Sequence, residues 1–508
     1  MARAVSSGTS PPAAPERGRT ASWVRACAFA AASGGAVLAM YLAHPLLSGF
    51  DLPVGPDGPV YVWWTRYAGG AGLEAVPGAR PGLPALALAL QVFLRTDAVG
   101  AVTVLGPVLA ATSGLAGAAL LEAALGPRVV RAAAAPLMPG AFAAYLAGGW
   151  LGNTALVALF LAAAAALALA RASWRAVAGA AALLAAAAVA HRIAIVLVLT
   201  VLGGVVLTHV PEALRERRRG VRGRDTFAVR AGVAVAAAAG VAAAALLPAL
   251  GAPRLPGDTS QDGFFRRHGL RALLVDRYRE RLGGDAARAL IPITTGLGLG
   301  AIGVGRRPSR PGERFLLSLV ASWAAITIVA VALFAATAGA PPNRVLVFAF
   351  FIPLAAAAGV SWAWRRAPLA LAALASVAAV AFVGVSMLGW ARQSPAFSSD
   401  ELTAAREAGR TAASLPPGTP LVFAVDTFEP AAAYHVTRAF NVIRAGLPPE
   451  RIPDAHVVVG APEDVVAGRT TTNGDPEHDA IARAYLAETS EATRSRPPFV
   501  FVVEAFNP

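Results

Sequence analysis

The stretch 176–209, AVAGAAALLAAAAVAHRIAIVLVLTVLGGVVLTH, decides how this chain crosses a membrane. As one helix it would run about 51 Å at ~1.5 Å per residue, well beyond the roughly 30 Å of a bilayer's hydrocarbon core. His191 and Arg192 stand near its middle, where a charge in lipid is costly. The stretch therefore reads as two short spans, with His191 and Arg192 at the turn.

Charge elsewhere in the chain supports that split. All 44 Lys+Arg residues are arginine. With the N-terminus inside, almost half of them fall on the inner side: Arg3, Arg17, Arg19 and Arg25 at the N-terminus, then in short loops Arg128 and Arg131, Arg171 and Arg175, the cluster Arg215–Arg224 with Arg230, Arg306, Arg307, Arg310 and Arg314, and Arg365 and Arg366. A single span over 176–209 would place RERRRGVRGR (215–224) outside, against the tendency of arginine to stay on the cytoplasmic side. The other apolar runs long enough to cross lie near 24–43, 98–124, 130–149, 151–170, 228–250, 288–305, 315–338, 345–363 and 368–390. The expected fold is mainly α: a polytopic membrane protein of about eleven spans, multi-pass in the cell membrane, N-terminus cytoplasmic and C-terminus extracytoplasmic.

Composition agrees. The 508 residues are 56% hydrophobic and 15% charged, with a mean hydropathy of +0.57, which a chain in lipid needs and one in water would have to hide. The net charge of +14 invites a nucleic-acid reading. Arginine in the loops at the inner face, where positive charge fixes topology, explains it better, so no nucleic-acid partner is expected. The excess of Ala, Gly and Pro, with no lysine, reads as genomic bias. Cys27 is the single cysteine, so no disulfide forms within the chain. Residues 1–22 are polar and rich in Pro and Ser, which suggests a disordered cytoplasmic tail, and 23–390 form the membrane domain.

Three regions fall on the outer side. The first, 44–97, carries Asp51 and Asp57, then Tyr61, Trp63, Trp64, Arg66 and Tyr67. Pro53, Pro56 and Pro59 argue against regular helix around the carboxylates. The loop reads either as an interfacial belt of aromatics and turns, or as a carboxylate held at the membrane surface as general base or metal ligand beside rings suited to a sugar. Within it, PGLPALALALQVFLR (81–95) is too short to span and reads as a helix lying at the interface. The second region, 251–287, includes FFRRHGLRALLVDRYRERLGG (264–284), with Leu270, Leu273, Leu274, Tyr278 and Leu282 at helical spacing and a basic opposite face. Arg266 and Arg267 there suit either anionic headgroups or one lipid phosphate, which arginine binds bidentately. Arg344, in GAPPNRVLVF, and Arg192 read as snorkelling cations or as further phosphate ligands.

After Trp390 the composition turns acidic. PLVFAVD (420–426), HVVVG (456–460) and FVFVVEAF (499–506) read as strands, and 429–446 and 476–489 as helices. This predicts a small extracytoplasmic α/β domain over 391–508. Asp426 reads as a turn or cap residue, since no glycine-rich loop follows it. Asp475, His478 and Asp479 lie in a polar loop and form a weak metal set.

These parts together resemble the GT-C superfamily of membrane glycosyltransferases: a first span, a long acidic outer loop (Asp51, Asp57) with an interfacial helix, paired spans meeting at His191 and Arg192, an amphipathic outer loop, Arg344 in PPNRxLxFxFxxPLA, and a terminal soluble domain. The resemblance implies sugar transfer from a polyprenyl-phosphate carrier to an envelope glycan, lipid or protein. It implies Asp57, or Asp51, as base, with both as ligands to a divalent cation such as Mg or Mn; the six-residue spacing departs from the family's adjacent pair. Arg66, Arg80, His191, Arg192, Arg266, Arg267, Arg344, Trp63 and Trp64 would then bind substrate. The other readings are a transporter or flippase for a lipid-linked or anionic substrate, and a non-catalytic membrane scaffold; no internal repeat favours the transporter.

Overall fold

The computed structural model describes residues 17–55, 57–76, 81–126, 135, 137–170, 173–191, 194–251, 311–337, 350–396, 398–414, 421–425, 441–459 and 500–503. Its helices are α1 (Arg17–Ser48), α2 (Gly58–Ala71), α3 (Gly82–Leu94), α4 (Ala98–Leu125), α5 (Leu137–Ala147), α6 (Leu151–Ala168), α7 (Trp174–Ala190), α8 (Ala194–Arg218), α9 (Phe227–Gly251), α10 (Pro311–Thr337), α11 (Phe351–Arg366), α12 (Leu369–Ala391) and α13 (Ser399–Ala413). Strands β1 (Leu421–Val425), β2 (Ala455–Val459) and β3 (Val500–Val503) complete it, with a helical segment at 441–446.

Seven of these helices are long and apolar enough to cross a bilayer: α1, α4, α6, α8, α9, α10 and α12. Helices α5, α7 and α11 match expected spans but are shorter than the ~20 residues a full crossing takes. The expected span 288–305 lies outside the described residues. The break inside 176–209 is real. Helix α7 stops at Ala190, and the Nδ1 of His191 accepts a hydrogen bond from Ala194 N at 3.2 Å, at the start of α8. A buried side chain thus satisfies one of the backbone donors that a helix start leaves open.

Helix α6 is central and buried along most of its length, while α12 turns Leu369, Leu374, Val377 and Val380 outward. In water such a face would be a liability; against lipid it is the ordinary surface of a span. The glycine-rich composition has a packing use here. Gly114 of α4 and Gly140 of α5 leave the space that Val37 of α1 fills, and a Cβ on either would press into that side chain. Small residues let helices approach closely, the main source of association between them in lipid.

The bundle has two distinct ends. At one, the start of α10 meets the ends of α4 and α11: Arg365 Nη1 lies 3.1 Å from Glu313 Oε1 and donates to Leu125 O at 3.2 Å, and Arg366 lies 3.8 Å from Glu313. Nearby, Arg314 pairs with Glu212 at 2.9 Å. Arg230 donates to Ala170 O and Asp225 and stacks over Trp174. These arginines belong to the loops read as inner. At the other end, His44 Nε2 donates to Gln393 O at 2.8 Å, and Trp390 Nε1 donates to Tyr41 O at 3.2 Å, joining α1 to α12. The α5–α6 turn, α2, α3 and the described segments 393–396, 398–414 and 441–455 gather there.

The C-terminal strands form a parallel sheet in the order β2–β1–β3, with Leu421 opposite Ala455 and Val422 opposite Val500. Parallel neighbours need crossover connections, as an α/β domain has. The expected helix 476–489 and Asp426, Asp475, His478 and Asp479 lie outside the described residues, as does 429–440 of the other expected helix.

One local expectation is corrected. A regular helix, α2, begins directly after Asp57. Pro59 sits in its first turn, where a missing N–H removes no helical bond, so it does not act as a breaker.

Candidate functional site

The segment after α1 is held as a strap. Pro53 O accepts from Ala396 N at 2.6 Å, Gly55 N donates to Ser394 O at 3.1 Å, and Val54 forms a bridge with Pro395. Gly55 has φ +94°, and a Cβ there would overlap the carbonyl oxygen of Gly148. Both facts require glycine, the first through the left-handed backbone and the second through contact with the α5–α6 turn. Gly55→Ala is expected to cost about 2 kcal/mol or more, from αL strain and overpacking together. The apparent melting temperature of detergent-solubilised protein would fall by several degrees; an unchanged value would refute this account of the strap.

Asp57 follows at the N-cap of α2. Its carbonyl accepts from Tyr61 N at 3.3 Å, while its carboxylate makes no capping bond to the helix. The half-buried carboxylate thus lies at a helix N-terminus, where the peptide dipoles favour negative charge, without being used as the cap.

Asp51 sits apart from it, exposed, accepting a hydrogen bond from Ser399 Oγ at 3.3 Å. It lines a cavity of about 570 Å³ with Asp97, Thr96, Ser399, Thr403 and Arg406. Asp97 caps α4 through Gly100 N at 2.8 Å and lies 3.4 Å from Arg406. The wall carries hydroxyls, carboxylates and one guanidinium, donors and acceptors of the kind that match a polyhydroxylated ligand.

The aromatic run does other work. Trp63 is 4% exposed and Trp64 7%. Trp63 Nε1 donates to Asn441 Oδ1 at 3.0 Å, and the Arg444 guanidinium lies 4.8 Å from the Trp63 ring centre. Arg66 donates to the carbonyls of Ala445 and Leu447. Burial pushes the Arg66 guanidinium below its usual value, opposed by nearby Asp97 and reinforced by Arg406. In this arrangement Trp63 and Arg66 hold the C-terminal region, and Trp64 packs edge-on against Tyr61 and Trp63, so both indoles are buried in protein rather than presented as a stacking surface. No sequence signal announced Asn441 and Arg444 as their partners.

His191, 1% exposed, caps α8 at the same end of the bundle. Helix α3 reaches it: a Cβ on Gly82 would lie 2.8 Å from Ala190 Cα. The other expected binding residues, Arg80, Arg192, Arg266, Arg267 and Arg344, lie outside the described residues. Among the described residues no group of three or more His, Cys, Asp or Glu could hold a metal. Asp51 accepts from Ser399 at its cavity, and the described residues supply no third ligand to join Asp51 and Asp57 around a cation.

No family model matches the sequence, and no curated protein matches it. Solved structures do. The apo crystal structure of the oligosaccharyltransferase of Archaeoglobus fulgidus aligns with TM-score 0.55 and 11% identity, over 91% of this chain and 68% of that one. The same archaeal enzyme, AglB, in complex with an inhibitory peptide and a dolichol-phosphate, aligns with TM-score 0.52 and 12% identity, over 92% and 69%. In fold, this chain is therefore similar to these archaeal oligosaccharyltransferase structures.

Proposed function

We propose that this protein is a membrane glycosyltransferase that moves a sugar from a polyprenyl-phosphate carrier to an extracytoplasmic acceptor. The observation that carries the reading is the segregation of groups between the two ends of the bundle. Asp51, Asp57, His191 and the described segments after α12 gather at one end, and the arginines of the short loops between spans, Arg230, Arg314, Arg365 and Arg366, pair at the other. The tendency of arginine to remain cytoplasmic then assigns the carboxylate end to the outside.

In the proposed reaction the carboxylate of Asp57 takes the proton of an acceptor hydroxyl. That oxygen forms a bond to the anomeric carbon with inversion. The bond from that carbon to the phosphate oxygen breaks, and the lipid phosphate leaves with the electron pair. Arg192, Arg266, Arg267 and Arg344 are assigned to the phosphate on sequence grounds, since cations there stabilise charge that grows in the transition state. Asp51, facing its cavity, is the alternative base.

Membranes containing the protein are expected to transfer radiolabel from a polyprenyl-phosphate sugar into a product no longer linked to the lipid. A transporter would move the labelled lipid-sugar intact across the bilayer, and a scaffold would leave it unchanged. Either result would overturn the proposal.

A further inference from the structure

Both sides of Asp57 are gripped by residues that follow the last membrane helix. On its N-terminal side, Pro53 and Gly55 are bonded to Ala396 and Ser394. On its C-terminal side, α2 is held through Trp63 by Asn441 and Arg444, through Arg66 by the carbonyls of Ala445 and Leu447, and at Gly70 by Pro449. The bundle holds the start of α2 by a hydrogen bond, Gly152 N donating to Tyr61 Oη at 3.1 Å, and the rest of it by apolar packing of Val62 and Ala68 among Leu83, Leu88 and Leu105.

The gripping residues form one connected body. Helix α13 lies so close to 446 that a Cβ on Gly409 would overlap the carbonyl oxygen of Gly446, and one on Gly446 would overlap that of Ala405. The segment 449–454 runs directly into β2, with Arg451 buried and paired to Asp454 at 2.8 Å. Helix α13 also brings Ser399 to Asp51.

We infer that the region after α12 is a clamp that sets the position of Asp57, and that Asn441 and Arg444 are positioning residues acting on it through Trp63. The catalytic half of this inference rests on the function proposed above; the mechanical half does not. Beyond its first turn α2 otherwise rests on apolar packing against α3 and α4, which is non-directional and tolerates small shifts, and a base displaced by an ångström loses much of its effect. Clamping the far end of α2 removes that freedom. The soluble domain is on this account part of the site's framework, beyond any contact it makes with an acceptor.

The single native cysteine makes the test direct. In Cys27→Ala protein, Asp57→Cys is introduced as a reporter, and Ser48→Cys, exposed at the end of α1, serves as the control. Alkylation by a maleimide is timed in full-length, detergent-solubilised protein. Adding Asn441→Ala with Arg444→Ala is expected to raise the labelling rate at position 57 about tenfold, the factor that follows from losing one or two such bonds. The rate at position 48 would stay constant. Asn441→Asp, which keeps the acceptor for Trp63, would keep the original rate at 57. An unchanged rate at 57 in the double alanine variant would overturn the inference. So would equal increases at 57 and 48, which would mean a general loosening. If the proposed transfer is detected, Asn441→Ala should lower kcat and leave KM for the lipid donor unchanged. If no transfer is found in the parent protein, the function fails while the labelling result still stands.

Discussion

Sugar transfer by Asp57→Asn is expected to fall at least about a hundredfold, within the ~10²–10⁴ range that a positioned general base contributes. Asparagine keeps the shape of the side chain at the start of α2 and removes its negative charge together with the ability to take a proton. The strap, the Tyr61–Gly152 bond and the grip of 441–449 should survive, since none is made through the Asp57 side chain in the bonds described. The fall should therefore appear in kcat, with KM for the lipid donor nearly unchanged. Asp51→Asn should have a smaller effect, weighted toward acceptor affinity, because that carboxylate faces the cavity with Ser399 and Arg406. Equal and complete losses in kcat from both would show that the two act as one unit. The reverse order would move the base to Asp51.

The second large effect lies at the opposite end. Glu313 is buried between Arg365 and Arg366, and Arg365 also holds the last carbonyl of α4 at Leu125. Glu313→Ala leaves those guanidinium groups without their named carboxylate in a buried place. Removing one partner of a buried pair costs about 3–5 kcal/mol. Thermal unfolding of the solubilised protein should shift accordingly, while Glu313→Ala with Arg365→Met should recover most of the loss, as paired apolar replacements do. No recovery would mean that the bond to Leu125 O, rather than the ion pair, holds this end.

Much of the fold was legible because membrane physics leaves few alternatives. The turn at His191 followed from the length of 176–209 and the cost of Arg192 in lipid, and the structure adds that His191 caps α8. The three strands were legible as runs of Val and Phe near their observed bounds. Helix α13 went unread although its signal was present. Ser398 and Glu401 form a reciprocal capping box, Ser398 Oγ accepting from Glu401 N at 3.1 Å and Glu401 Oε2 from Ser398 N at 2.6 Å. Helix α2 was hidden by prolines read as breakers, one of which, Pro59, stands where a helix accepts it.

The site was less legible than the fold, for a physical reason. Trp63 and Arg66 look from sequence like surface residues of an outer loop, free to meet a sugar. Their partners Asn441 and Ala445 lie 378 and 379 residues away, and no local pattern encodes a contact at that separation. Asp51 and Asp57 were identifiable as carboxylates of that loop. Their separation into a cavity group and a strap group depends on Ser394, Ser399 and Arg406, which come from the far end of the chain.

The central claim is that the carboxylate end breaks the bond between sugar and lipid phosphate. Its most direct test follows the label of a radiolabelled polyprenyl-phosphate sugar in proteoliposomes of purified protein. The account predicts that label leaves the lipid, becomes covalently joined to an added acceptor, and stays on the lipid when Asp51→Asn and Asp57→Asn are combined. Transfer undiminished in that double variant, or label that crosses the bilayer still joined to its lipid, would contradict it.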